Sequence, residues 1–137
     1  MELEHKHFIV RAEVAGTPKL QDISFVEDWM SRLIKSVGMV TLIEPKAVYC
    51  DKENNRGITA IAALTTSSTT LHIWDEKPPC YLQFDLYSCK SFDYEHVLHA
   101  INEFGMTRYE YYMLNRETPF SHIHAKGHGL FEPSISK

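Results

Sequence analysis

Apolar residues recur along the chain with two different periods, and the order of these periods predicts its elements. Alternation from His7 to Val14 predicts a strand, which Gly16-Thr17-Pro18 interrupts. The next apolar residues are spaced three to four apart, which predicts an amphipathic helix. Asp22 or Ser24 can cap its N-terminus, and Gly38 can end it. This helix is carried by Ile23, Val26, Trp29, Met30, Leu33, Ile34 and Val37.

The rest of the chain continues mainly with strand-like segments rich in β-branched and aromatic residues. A second amphipathic helix begins at Asp93 and ends at Gly105, and a Tyr-rich strand follows from Met106 to Leu114. From Asn115 onwards no period survives, which predicts an irregular tail. Between the two helices, the predicted strands are Val40 to Cys50, Gly57 to Thr65, Thr69 to Trp74 and Cys80 to Ser88.

This order of elements predicts an α+β fold. Two helices on one face of a mostly antiparallel sheet form an economical two-layer sandwich. The 137 residues suffice for one domain, which we place at residues 1–116, with 117–137 as an irregular C-terminal tail. Because the other face of the sheet stays bare, we expect two protomers to pair into a four-layer α/β/β/α homodimer.

Composition and charge exclude several classes of protein. The net charge is −4 and no basic stripe is present, so a nucleic-acid partner is not expected. No apolar run approaches the roughly 20 residues of a membrane helix, and the charged N-terminus is unlike a secretory signal. The three cysteines, Cys50, Cys80 and Cys89, indicate free thiols in a reducing compartment, which predicts a cytoplasmic protein.

The candidate chemistry lies around Ser67, between two predicted strands, where a turn can expose a strained peptide bond. A serine hydroxyl attacks a neighbouring carbonyl when a proton carrier stands nearby, and His72 is the natural one. Thr59 falls on the preceding strand, where it can lie opposite, and Glu76 and Cys89 follow. The same residues also suit an ordinary surface strand with a packed histidine and a buried thiol.

Two further groups of residues suggest a metal site or a stacking surface. The tail residues His122, His124 and His128 have a spacing that can bind zinc, but only Glu132 is near enough to complete a site, so a solvated tail without metal is favoured. Tyr109 and Tyr111 share one face of the last strand, which is typical of sheet packing or a dimer surface.

The segment around Ser67 resembles the self-processing segment of the prokaryotic S-adenosylmethionine decarboxylases. Gly57-Ile58-Thr59 precedes Ser67 at the family's distance, and Leu71 to Glu76 matches the family's His-Thr-Trp-Pro-Glu block. Asp85 to Cys89 matches the block Asp-x-Phe-Thr-Cys after a slightly longer turn. The resemblance runs loosely from about His7 to Arg116 and is gapless from Gly57 to Glu76.

The resemblance implies a role for each matched residue. The chain would cut itself between Thr66 and Ser67, and Ser67 would become a pyruvoyl cofactor, with His72 and Thr59 assisting. Cys89 would protonate the substrate after decarboxylation, and Glu76 would accept hydrogen bonds from the ribose of S-adenosylmethionine.

The implied activity is decarboxylation of S-adenosylmethionine, which supplies the aminopropyl donor for spermidine synthesis. The pyruvoyl carbonyl would accept the electrons left when carbon dioxide departs, as pyridoxal phosphate does in other enzymes.

The chain also departs from the family pattern. Thr66, Ser68 and Asp75 stand where the family has Glu, His and Pro, and Thr59 replaces a serine. The family's adenine-stacking ring would fall near residues 53–54, which are Glu and Asn. Two alternatives therefore stay open: a decarboxylase of ornithine or arginine with the same fold, and a non-processing paralogue that partners or regulates an active decarboxylase.

Overall fold

The computed structural model of the protein describes residues 4–16, 18–117 and 123–130. Within these ranges a single antiparallel sheet has the strand order β2-β3-β4-β5-β1-β6-β7. The strands are β1 Lys6–Val14, β2 Thr41–Cys50, β3 Gly57–Leu64, β4 Ser67–Trp74, β5 Cys80–Ser88, β6 Met106–Asn115 and β7 Ile123–Leu130. The helices are α1 Ile23–Ser36 and α2 Tyr94–Ile101, with short 3-10 turns at Pro18–Gln21 and Asn102–Phe104.

Both helices begin at an aspartate, as the sequence predicts. The Phe25 N–H donates to the Asp22 carboxylate at 3.0 Å at the start of α1, and Asp93 accepts in the same way at the start of α2. These bonds satisfy backbone donors that have no partner within the helix. The chain leaves the second helical segment at Gly105, whose φ of 80° suits glycine.

Both helices cover the same face of the sheet, and the core lies between the two layers. Trp29 of α1 packs edge-on against Phe84 of β5 and Phe104, with ring centroids 5.8 and 4.9 Å apart. Its indole N–H donates to the Ala100 carbonyl at 2.9 Å, which ties α1 to α2. Tyr94 of α2 packs on the same face. The two-layer α+β sandwich predicted from the sequence is therefore confirmed.

No helix in the described ranges has the length and apolar character that crossing a membrane requires.

The other face of the sheet, here called the open face, carries alternate residues of the strands, and no helix of residues 4–16, 18–117 or 123–130 covers it. Cross-strand pairing aligns its side chains in rows, one of which runs through Ile61, Thr70, Asp85, Ile9 and Tyr112. Several large apolar side chains on this face are exposed in the protomer, including Ile61 at 51% and Tyr112 at 49%. Pairing with a second copy stays a prediction.

The predicted irregular tail is wrong for residues 123–130, which form β7 and pair with β6. The pattern gave no signal because glycines take the place of apolar side chains. A Cβ at Gly127 would lie 2.9 Å from the Tyr111 hydroxyl, and one at Gly129 equally close to that of Tyr109. The tyrosine rings thus occupy the space that β7 side chains would otherwise fill, which confirms sheet packing for this pair.

Candidate active site

The turn between β3 and β4 holds the peptide bond that the sequence singles out. Ser67 is the first residue of β4, and Thr66 immediately before it has a φ of 48°. Left-handed backbone costs a residue with a Cβ about 1–2 kcal/mol, and a β-branched side chain is especially rare there. The carbonyl that Ser67 would attack therefore belongs to a strained residue.

Cys89, just beyond the end of β5, contacts both sides of this peptide bond. Its backbone N–H donates to the Ser67 Oγ at 3.0 Å, and the Thr66 hydroxyl lies 2.9 Å from its Sγ. The hydroxyls of Ser67 and Thr66 lower the pKa of the Cys89 thiol. The structure thus brings Thr66, Ser67 and Cys89 together, and we call these three residues the cleavage cluster.

Thr59 and His72 form a separate pair. They lie opposite each other in β3 and β4, as the sequence predicts, with the Thr59 Oγ1 and His72 Nδ1 3.0 Å apart. His72 is five residues from Ser67 along one strand, a separation of about 16 Å at the rise of a β-strand. Within one protomer, His72 therefore does not reach the Ser67 hydroxyl.

Glu76 and Trp74 are held by the turn that precedes β3. Arg56 donates to Glu76 at 2.9 Å and to Asp51 at 2.7 Å. The Trp74 indole N–H donates to the Asn55 side chain at 3.0 Å. The carboxylate predicted to accept from ribose hydroxyls is thus already ion-paired, and the tryptophan beside it is hydrogen-bonded to the same turn.

Asp75, which replaces the family's proline, is also partly satisfied. The Tyr49 hydroxyl donates to its Oδ1 at 3.1 Å. Its Oδ2 is buried and has no hydrogen-bond partner among the described residues. Asp75 thus adds a carboxylate next to Glu76, and a buried carboxylate oxygen without a donor is costly.

An open-face network that the sequence reasoning missed begins at Asp85 of β5. The Thr70 hydroxyl donates to the Asp85 Oδ2 at 2.8 Å, and the His7 Nε2 lies 3.5 Å from its Oδ1. Burial raises the pKa of Asp85, but the interactions with His7 and Thr70 outweigh burial and lower the pKa below its ordinary value of 3.8. Asp85 therefore stays ionised on the open face.

Tyr87 and Arg116 extend this network towards the cleavage cluster. The Arg116 guanidinium carbon lies 4.4 Å from the centre of the Tyr87 ring, and its Nη1 is 3.2 Å from the His7 Nδ1. The Tyr87 hydroxyl lies 2.7 Å from the His5 Nδ1. Alternation along β1 and β5 places His7 and Tyr87 on the open face, but only the register between strands distant in sequence shows that they meet.

The zinc hypothesis of the tail is not tested by the structure. His122 and the side chain of His124 lie outside the described residues. In the described part of the chain, no three histidine, cysteine, aspartate or glutamate side chains form a group that could hold a metal ion. All three cysteines are free thiols.

Residues 6–117 match the model of a family described as S-adenosylmethionine decarboxylase. No curated protein matches the chain. The matched range contains the cleavage cluster, the Thr59–His72 pair and, apart from His5, the open-face network.

Proposed function

The chain belongs to the S-adenosylmethionine decarboxylase family, and from that premise we propose that it cuts itself between Thr66 and Ser67 to make a pyruvoyl cofactor. Family membership supports a carboxy-lyase with a small-molecule substrate, S-adenosylmethionine. The observation that best supports self-cleavage is the geometry of the cleavage cluster. The carbonyl of the strained Thr66, the hydroxyl of Ser67 and the Cys89 thiol, whose pKa is lowered, lie together there.

The proposed cleavage uses only atoms of the chain and water. The Ser67 Oγ attacks the Thr66 carbonyl carbon, the peptide C–N bond breaks, and an ester forms as the nitrogen takes up a proton. Loss of the Ser67 α-proton then expels the Thr66 carboxylate. The remaining unsaturated residue takes up water and releases ammonia, which leaves a pyruvoyl group at position 67.

The cleavage cluster fits this precursor chemistry. The Cys89 N–H already contacts the Ser67 Oγ, and the adjacent thiol of Cys89 is positioned to exchange a proton with it. After cleavage the same thiol would stand beside the pyruvoyl group, where the proposed protonation of substrate is required. The pyruvoyl group supplies the electron sink for decarboxylation.

In this proposal, the Thr59–His72 pair assists cleavage in the other protomer of a dimer. Because His72 lies about 16 Å from Ser67 along β4, it assists cleavage in this conformation only from a second protomer. We propose that two copies pair through their open faces, which carry exposed apolar side chains such as Ile61. The dimer would act in the cytoplasm and supply spermidine synthesis.

Intact-mass analysis of the purified protein tests the proposal. We expect fragments 1–66 and 67–137, the second lighter by one ammonia than simple hydrolysis gives. Ser67→Ala should stay whole because it has no hydroxyl to attack with, whereas the matched control Ser68→Ala should be cut. A wild-type chain that keeps one full-length mass after long incubation would instead support the non-processing paralogue.

A second substrate class is favoured by the contacts of Glu76. Arg56 occupies this carboxylate and Asn55 binds the Trp74 indole. Neither residue at 53–54 offers a ring to stack on adenine. The missing ring and the occupied carboxylate suit a smaller amino acid without an adenosyl group, such as ornithine or arginine.

Release of carbon dioxide from each substrate separates the two classes. If S-adenosylmethionine is the substrate, Arg56→Gln should lower its KM by freeing the Glu76 carboxylate, and Glu76→Gln should raise it. Turnover of ornithine or arginine together with no turnover of S-adenosylmethionine would establish the second class.

A further inference from the structure

Two arginines on the open face stack on tyrosines of β5, but only one of them has a carboxylate partner. The Arg11 guanidinium lies 5.6 Å from the centre of the Tyr81 ring, and its Nη1 is 3.4 Å from Glu110. The Arg116 guanidinium lies closer to its ring, at 4.4 Å. Among the described residues, its side-chain partner is the Nδ1 of His7 and no carboxylate pairs with it.

The acidic groups around Arg116 are engaged elsewhere. Glu117, the next residue, is ion-paired with Lys6 at 3.0 Å. Asp85 interacts with His7 and Thr70. The charge of the Arg116 guanidinium is therefore not neutralised by its described neighbours. Arg116 is exposed, and it differs in this respect from Arg11, which is paired with Glu110 on the same face.

The contacts of Arg116 fix its position. Because an arginine only donates, the His7 Nδ1 is the acceptor in its contact with Arg116, and the His7 Nε2 lies 3.5 Å from the Asp85 carboxylate. The backbone N–H of Arg116 donates to the His5 carbonyl at 2.7 Å. The ring of Tyr87 supports the guanidinium from below. One N–H donates to His7, and no hydrogen bond to another side chain in the described part of the chain uses the remaining N–H groups.

The tyrosine that supports this guanidinium lies close to the cleavage cluster in the strand pairing. Tyr87, which carries it, pairs directly with Ser68 across β4 and β5, and paired strands lie about 4.8 Å apart. Ser68 is the next residue after Ser67. Strand alternation turns the Ser67 side chain to the helix-covered face, but a ligand joined to the main-chain carbon of position 67 can lie on the open side of the sheet, where Arg116 stands.

We propose that Arg116 binds the α-carboxylate of the amino-acid substrate. The inference rests on the proposed decarboxylase function and holds for S-adenosylmethionine and for ornithine or arginine, because all carry this group. A guanidinium fork matches a carboxylate in a bidentate geometry. His7, Tyr87 and Asp85 act as positioning residues for the guanidinium.

The energetics give this assignment a kinetic signature. The substrate carboxylate loses its negative charge as it departs as neutral carbon dioxide. The contact with Arg116 therefore stabilises the bound substrate at least as much as the transition state. Removing it should raise the KM without lowering kcat. Loss of a hydrogen bond to a charged group corresponds to an increase in KM of roughly 10- to 100-fold.

The test compares Arg116→Gln with the matched control Arg11→Gln. In the processed enzyme we expect the KM to rise in Arg116→Gln, with kcat unchanged, and both constants to stay near wild type in Arg11→Gln. Intact mass should show normal cleavage in both variants, because Arg116 acts on the substrate. An unchanged KM in Arg116→Gln, or an equal rise in Arg11→Gln, overturns the assignment.

A binding measurement keeps the test independent of self-cleavage. Calorimetry on the uncut Ser67→Ala chain compares ligands that differ only in the carboxylate: S-adenosylmethionine with its decarboxylated product, and ornithine with putrescine. We expect the carboxylated member of one pair to bind roughly 10-fold tighter or more, and Arg116→Gln in the same background to abolish the preference. No preference in either pair, including no binding at all, overturns the carboxylate site even if wild type cleaves.

Discussion

Replacing Thr66 with glycine tests whether backbone strain at the β3–β4 turn drives cleavage. At a φ of 48° the threonine pays a conformational cost of about 1–2 kcal/mol that glycine does not. If this strain is released in the rate-limiting transition state, cleavage of Thr66→Gly should slow by roughly 5- to 30-fold. In the uncut Ser67→Ala background, the same change should raise the melting temperature by about 4 °C.

Two controls separate strain from other effects of the substitution. Thr66→Ala keeps a Cβ at the strained position but loses the hydroxyl that contacts the Cys89 thiol, so the difference between glycine and alanine isolates the backbone. Asn54→Gly relieves a positive φ of 70° in a different turn and should leave cleavage unchanged. Time courses of intact mass give the rates. Equal rates for the glycine and alanine variants would refute the role of strain.

Three further changes test the fold and the open face. In Gly57→Ala the new Cβ would lie 1.6 Å from the Ile73 carbonyl oxygen, so urea unfolding should show a loss of more than about 4 kcal/mol, and a loss below 1 kcal/mol would contradict the backbone packing. Because the folded pKa of Asp85 is lowered, its charge stabilises the fold above about pH 4 and ceases to do so as the pH falls through the folded pKa. The stability difference between wild type and Asp85→Asn should therefore shrink on acidification, and a constant difference would count against it. Ile61→Lys places a charge on the open face, and sedimentation should show weaker pairing of a folded protomer, whereas unchanged association would exclude that face as the contact.

Much of the fold was accessible from the sequence because local signals agree with each other. Alternation set the strands to within a residue or two, and Asp22 and Asp93 gave the helix starts. The opposition of Thr59 and His72 followed from their positions on either side of one turn. Strand β7 was missed because glycine contributes no hydrophobic period.

The candidate site was only partly accessible, for a geometric reason. Spacing along the chain put Ser67 and His72 in one site, whereas the rise of an extended strand separates them by about 16 Å. Arg116 was missed because its contacts with His7 and Tyr87 depend on the registers of three strands that are far apart in sequence. Such registers are set by the hydrophobic pattern of the whole sheet.

The strand order has a consequence for a chain cut after Thr66. The first piece would contain β1, β2 and β3, and the second would contain β4 to β7, yet β1 lies between β5 and β6 of the second piece. Nine residues of β1 pair with β5 and nine with β6, and β3 still pairs with β4 across the cut. The two pieces are interleaved in one sheet, so separating them would require removing an interior strand, β1, from between β5 and β6. Losing one covalent bond at the hairpin would leave the architecture intact, and the new chain ends could move locally while the remaining strand pairs keep the sheet together.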